Sequence, residues 1–460
     1  MADHADKSPL AIPNIRFFIY FRVFFNARFY YPVFTILFLD FGLTLQQFAL
    51  LNAVWAASIV LLEVPSGALA DIVGRRNLLV FAGVLMVAEM ALLCLVPLGR
   101  PKLLFMIFLL NRILSGAAEA SASGADEALA YDSLKEEGNT QDWGRVLEIQ
   151  MRRQSIAYIG AMSLGAAVYD PSLMQRFADW VGFHGVLSQN ITLRFPLYLT
   201  LGMAVLTLLT TLRMKEAVMK PDGECIQIKD CGRSIADAFK VTLQAGGWIL
   251  RTPFPLVIIA AGLLFDSTIR MIITLNSQYY RLIELPEASF GLIGSGLAVL
   301  GIFIPRVART LVENHSPTFN LAVMAVTSIL GLGGMTFFMP ILGIFPVVLL
   351  FSVMYLLNFF LSHYLNRITD SGQRATVLSF KGLSLNLAYG LIGLLYSLLL
   401  ALLRRRIEVS PNDLGAQGVE NTVFIQSIAW FPWYFLLAFA ALVVFARFRL
   451  RHSDEHKRPG

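Results

Sequence analysis

Glu63-Val64-Pro65-Ser66-Gly67-Ala68-Leu69-Ala70-Asp71-Ile72-Val73-Gly74-Arg75-Arg76 closes one long apolar run, and a second opens directly after it at Asn77-Leu78-Leu79-Val80. So short a polar interruption between two such runs reads as a tight loop joining two membrane helices. Gly67 lets a neighbouring helix come close, and Gly74 permits a left-handed turn that a side chain would oppose. Asp71 sets an anion where a helix start can stabilise it, while Arg75 and Arg76 hold the loop on the cytoplasmic side. An ordinary basic turn is the plainer alternative.

The rest of the chain is of the same kind. Of its 460 residues 56% are hydrophobic and only 15% charged, too much apolar surface for a soluble core of this size. The composition predicts an all-α integral membrane protein. Residues 1–14 are short, polar and without an Ala-x-Ala cleavage site, so the first helix is expected to direct insertion itself. Cys94, Cys225 and Cys231 give only a Cys-x5-Cys spacing with no nearby histidine, which predicts no metal site. The net charge of +6 follows topology rather than a folded patch, and no nucleic-acid partner is expected. Gly160 to Gly165 lacks the Gly-Lys-Ser ending of a phosphate loop and no zinc-spaced histidine pair occurs, so neither an enzyme nor a bound cofactor is expected.

The apolar runs predict twelve crossings, near 14–40, 45–68, 77–98, 102–124, 146–169, 193–213, 253–280, 287–308, 318–338, 341–364, 375–402 and 423–446. An even number puts both termini on one side. About 21 Lys and Arg fall on the side of Arg75 and Arg76 against about 8 on the other, which makes the termini cytoplasmic. Arg404-Arg405-Arg406 falls on the wrong side of this count. The polar stretch Met214 to Arg251, with an amphipathic segment over Ile235 to Leu250, predicts a surface linker. It divides the chain into a six-helix bundle over 1–213, the linker over 214–251, a second six-helix bundle over 252–446 and a cytoplasmic tail over 447–460. The bundles look like pseudo-symmetric copies. Arg28 and Phe48 recur at the same separation as Arg270 and Phe290, and Arg145 and Arg152 have counterparts in Arg374 and Lys381.

Gly67, Asp71, Gly74, Arg75 and Arg76 fill every fixed position of G-x-x-x-D-x-x-G-R-R. This resembles the loop between helices 2 and 3 of the major facilitator superfamily of transporters. Arg112 and Gly116 resemble that family's R-x-x-Q-G motif in helix 4, with Ser115 in place of glutamine. The resemblance implies two six-helix bundles with a midplane site between them, a latch role for the Asp71 loop and an association of Arg112 with proton transfer. It is weaker in the second half, where Pro305, Arg306, Arg309 and Glu313 stand in the corresponding region. The Gly-Pro signature of many exporters is missing from the fifth crossing, which counts against antiport.

An ionisable side chain at the centre of a bilayer costs at least about 2.5 kcal/mol, so each such residue marks a cavity or a partner. Arg112, Ser115, Gly116, Glu119, Ser123 and Asp126 are spaced to share one face of a single helix. Glu119 and Asp126 are the expected proton-coupling groups; the alternative is that Arg112 and Glu119 merely neutralise buried charge. The acidic end of that helix, with Asp132, is expected to meet Arg75, Arg76 and Arg145 as a gate. Arg28 and Arg270 sit mid-segment in matching crossings, with Asp266 one turn before Arg270. Asn26 and Tyr31 in the first crossing, and Asn276 and Gln278 in the seventh, offer hydrogen bonds to a polar solute. Two arginines facing a cavity favour an anionic or zwitterionic substrate unless carboxylates pair with them permanently. Glu63 and His363 are lesser candidates.

The expectation is a monomeric secondary transporter of a small organic solute in a bacterial inner membrane, proton-coupled and working by alternating access. A uniporter or a proton symporter importing an anion is the nearest alternative. A non-transporting scaffold or receptor with the same fold is the alternative of another class.

Overall fold

A computed structural model describes residues 8–183, 185–216, 240, 243–244, 246–368, 374–408 and 415–455. The described residues are helical, without strands. In chain order the helices are α1 (Pro13–Asn26), α2 (Phe34–Asp40), α3 (Leu45–Val73), α4 (Arg75–Cys94), α5 (Pro101–Ala122), α6 (Ala125–Glu137) and α7 (Trp143–Tyr169). They continue as α8 (Pro171–Trp180), α9 (Gln189–Thr192), α10 (Phe195–Arg213), α11 (Pro253–Thr274), α12 (Asn276–Leu282), α13 (Ser289–Asn314) and α14 (Pro317–Met335). The last are α15 (Ile344–Ile368), α16 (Arg374–Glu408), α17 (Ala416–Ile428) and α18 (Trp430–Glu455). Proline opens α1, α5, α8, α11 and α14, where its missing N–H would have no helical partner in any case.

Among the described residues ten helical stretches are long and apolar enough to cross a membrane. Two of the twelve expected crossings fall outside that set. One is α7, whose first turns carry Arg145, Arg152 and Arg153. The other is the first crossing, expected as one helix over 14–40 and found broken between α1 and α2. The chain leaves the helix over residues 27–30 and re-enters through a 3-10 turn at Tyr31–Val33, where Pro32, which has no N–H to give, sits in the first turn. The freed backbone is served locally: the Phe29 amide donates to the Thr200 hydroxyl at 3.1 Å. Gly165 of α7 lies so close to the Phe29 carbonyl that any Cβ would overlap it. Gly165 thus lets the fifth crossing pack closely against the break. The fourth crossing also differs from expectation. Gly124, at φ +75°, ends one helix and starts the next, so Asp126 belongs to α6 and not to an unbroken α5. The seventh crossing breaks at Leu275, between α11 and α12.

The chain forms two compact units. The first comprises Met1–Leu43, Ala57–Phe239 and Pro286–Ser295; the second comprises Thr44–Ala56, Lys240–Leu285 and Gly296–Gly460. The two short segments that each unit takes from outside its main run carry Phe48 and Phe290, the matched pair of the sequence repeat, and both rings are fully buried. In the first unit Ile12, Ile15, Phe18 and Ile19 of the amino-terminal stretch pack on Ala130, Leu134 and Val146. In the second, Ile249 packs with Ile259, Leu365 and Val377. Thr200, Thr207 and Thr210 return their hydroxyls to carbonyls one turn back, which satisfies them inside an apolar environment. Most of the expected linker, residues 217–239, and the last five residues of the tail lie outside the described residues.

Candidate functional site

The break between α1 and α2 places Arg28 inside the first unit, 2% exposed. Its guanidinium pairs with Glu89 of α4, which is wholly buried. Glu119 of α5 lies 3.8 Å from the other end of the same guanidinium, too far for a hydrogen bond, and its side chain keeps 33% of its exposure. The Phe25 ring sits 5.4 Å from the Arg28 guanidinium carbon. Asn111 joins this group to Arg112: its amide donates to the Glu89 carbonyl at 3.1 Å, and its side-chain oxygen accepts from Arg112 at 3.1 Å. Arg112 is itself buried, with Phe34 and Phe38 at 5.3 and 5.2 Å and one guanidinium nitrogen without a hydrogen-bond partner.

Two positive and two negative side chains therefore gather where hydrocarbon is expected; Arg28, Glu89 and Arg112 each keep a buried polar atom without a hydrogen-bond partner, and Glu119 stands just out of reach. Glu89 was not anticipated from the sequence. It lies alone in a long apolar helix, and only the fold shows that it faces the Arg28 break. Asp126 is engaged elsewhere: Arg22 of α1, also unanticipated, pairs with it at 2.5 Å and with Glu127 at 2.5 Å. The single polar stripe expected from Arg112 to Asp126 is thus two clusters, separated by the turn at Gly124. Asn26 donates to the Arg22 carbonyl at 2.8 Å, and Tyr31, 41% exposed, stands edge-on to Tyr30 and Phe34.

In the second unit Arg270 pairs with Asp266 at 2.6 Å, the intrahelical pair that the spacing predicts. Asn386 accepts from the same guanidinium at 2.9 Å, and the Tyr389 ring lies 5.2 Å away. Gln278 donates to Asn421 at 2.8 Å while its amide oxygen is buried without a partner, as is that of Asn276. Arg404, on the wrong side of the charge count, pairs with Glu420, whose other oxygen accepts from the Leu45 amide at 3.1 Å. Glu420 thus caps the start of α3, so Arg404 answers a half-buried carboxylate rather than the membrane's charge rule.

The loop that opened the sequence reading is built as a helix-end clamp in the first unit. Gly74 takes φ +97°, the left-handed region expected of it, and starts α4. The Glu216 carboxylate accepts from the Arg75 and Arg76 amides at 2.9 Å each, satisfying two donors that a helix start leaves open. Arg76 reaches the Met214 and Leu212 carbonyls at 2.7 and 3.0 Å, closing the end of α10. Arg75 pairs with Asp132 of α6. So Arg75 meets the acidic end of the fourth crossing as expected, whereas Arg76 meets carbonyls instead. Arg145 is exposed and joins none of these contacts. Gly67 has no atom within 4 Å of where a Cβ would stand, so the close helix approach expected there is not made. The Asp71 side chain lies outside the described residues. No cluster of metal-ligating side chains occurs among the described residues.

Comparison with known proteins agrees with this architecture. No curated protein matches the sequence. A bacterial homologue of the human lysosomal transporter Spinster superposes with a TM-score of 0.69 at 15% identity, over 97% of this chain and 99% of that one. The nucleoside transporter NupG gives 0.65 at 13% identity over 95% and 99% of the two chains, and a D-xylose-proton symporter gives 0.58 at 12% over 92% and 96%. The likeness establishes the twelve-helix fold. The family model of the Major Facilitator Superfamily matches residues 16–388. That span includes both clusters of buried charge and the Gly74 clamp, and the chain belongs to the major facilitator superfamily, as an integral membrane transporter and not an enzyme.

Proposed function

We propose that the protein is a proton-coupled secondary transporter of a small polar organic solute, working by alternating access. The observation that carries the reading is the buried group of Arg28, Glu89, Glu119 and Arg112 in the first unit. Coupling needs a carboxylate whose hold on a proton changes when a neighbouring cation moves. Glu119 meets that need: it stands just outside hydrogen-bond reach of Arg28, and Glu89 already holds that arginine. A shift of about 1 Å toward or away from the guanidinium would make or break a charge-assisted bond.

Charge pairing limits the solute. Arg28 and Arg270 are each matched by a carboxylate, whereas among the described residues no acidic partner of Arg112, the third arginine of the site, lies within ion-pair distance. This favours a neutral or singly anionic solute over a multiply charged one. Asn276 and Gln278, each with an open amide oxygen, supply acceptors to solute hydroxyl or amine groups. Two of the similar structures are named for polar solutes, a nucleoside and D-xylose with a proton, which supports the same broad class here. The Lys and Arg bias of the loops supports cytoplasmic termini, and a bacterial inner membrane is the proposed location. The Gly74 to Arg76 clamp, through Arg75 and Asp132, is the gating element, and the working unit is a monomer.

The test is uptake into vesicles containing the purified protein under an imposed pH gradient, across nucleosides, sugars and monocarboxylates. Accumulation that collapses with a protonophore supports the reading. Flux that ignores the gradient indicates uniport, and absence of flux for every solute favours a scaffold or receptor.

A further inference from the structure

The second unit holds a cavity of about 230 Å³ whose lining includes none of the side chains assigned above to transport. It lies among α11, α14, α15 and α18, at the end where the first two begin and the last two finish. Its floor is buried and apolar, built by Val257, Met324, Leu357 and Leu361. One polar side chain interrupts it. Asn320, 1% exposed, donates to the Tyr364 hydroxyl at 2.8 Å and the Leu311 carbonyl at 3.2 Å, and its own oxygen has no partner. Exposed Thr318, Leu450 and Arg447 form the mouth. No ion pair to Arg447 occurs among the described residues.

An apolar slot with an exposed arginine at its mouth, at a helix end, has the layout of part of a hydrocarbon chain joined to an anionic head. Arginine stems cover apolar surface while their guanidinium groups reach the interface, which sets the charge at headgroup height. We propose that this cavity binds the headgroup-proximal part of one acyl chain of an anionic phospholipid from the leaflet at that end, with its phosphate held by Arg447. The ligand is a resident lipid and not cargo: the slot belongs to the second unit alone and contains none of the side chains assigned to transport.

The experiment is thermal unfolding of the full-length protein in neutral detergent with added dioleoyl phosphatidylglycerol, dioleoyl phosphatidylcholine, or glycerol 3-phosphate alone. Phosphatidylglycerol should raise the transition saturably, phosphatidylcholine much less, and glycerol 3-phosphate not at all. Arg447→Glu should weaken the phosphatidylglycerol response at least tenfold in midpoint concentration, and Ala446→Trp, which fills the slot, should abolish it. Equal responses to the two lipids, a response to glycerol 3-phosphate alone, or an unchanged response in Arg447→Glu would each overturn the proposal. Should Ala446→Trp fail to fold, the exposed Arg447→Glu still decides, with native mass spectrometry counting retained phosphatidylglycerol. None of these readouts involves flux, so they stand apart from the test of transport.

Discussion

The Arg28–Glu89 pair offers a quantitative test, because its two members are not equally replaceable. Removing one partner of a buried pair leaves an uncompensated charge and costs about 3–5 kcal/mol, whereas replacing both by apolar residues is often neutral. Glu89→Ala leaves Arg28 with Glu119 only 3.8 Å away, so its loss should fall at the low end, about 3 kcal/mol. Arg28→Met strands Glu89, which is wholly buried and already has one oxygen without a partner. Its loss should approach about 5 kcal/mol. The double variant Arg28→Met/Glu89→Leu should recover to within about 1 kcal/mol of the parent, a coupling energy well beyond additivity. The assay is a dodecyl sulfate titration in mixed micelles, followed by helical circular dichroism. If the two single losses simply add in the double variant, the pair is not the unit described here. If Glu89→Ala proves costlier than Arg28→Met, Glu119 is not sharing the guanidinium.

Three further outcomes follow from the clamp and the helix packing. Glu216→Ala removes a carboxylate from two helix-start amides and should cost about 1 kcal/mol in the same titration, with a smaller loss at high salt. Gly74→Ala combines φ +97° with a Cβ 2.8 Å from the Glu216 carboxylate and should cost about 1–3 kcal/mol, only partly relieved by adding Glu216→Ala. Gly165→Val would push a side chain into the Phe29 carbonyl, a backbone atom that cannot step aside, and should lower the yield of folded protein in fluorescence size-exclusion chromatography.

Much of this was legible in the sequence because it depends on local composition. Apolar run length reports a crossing wherever it occurs, which is why the fold emerged with most crossings near their predicted bounds. Gly74 and the Asp266–Arg270 pair were likewise readable, since a left-handed turn and a four-residue spacing are local matters. The misses came where a contact spans distant helices. Glu89 stands out as the lone carboxylate of its apolar segment and Glu216 does not, but neither segment names a partner, and each acquires its role from one 61 or 141 residues away. The helix breaks beside Pro32 and at Gly124 were visible as residues, but a hydropathy window averages across them. Arg145 and Gly67 failed for the opposite reason: the pattern suggested a neighbour and the fold does not supply one.

The central claim is that Glu119 links a proton to solute movement through Arg28. Its most direct test compares two modes of flux in vesicles carrying Glu119→Gln, once a transported solute is in hand. Solute exchange at equal pH should persist at near parental rates, while accumulation driven by a pH gradient should fall at least tenfold. Undiminished gradient-driven accumulation in Glu119→Gln would contradict the account.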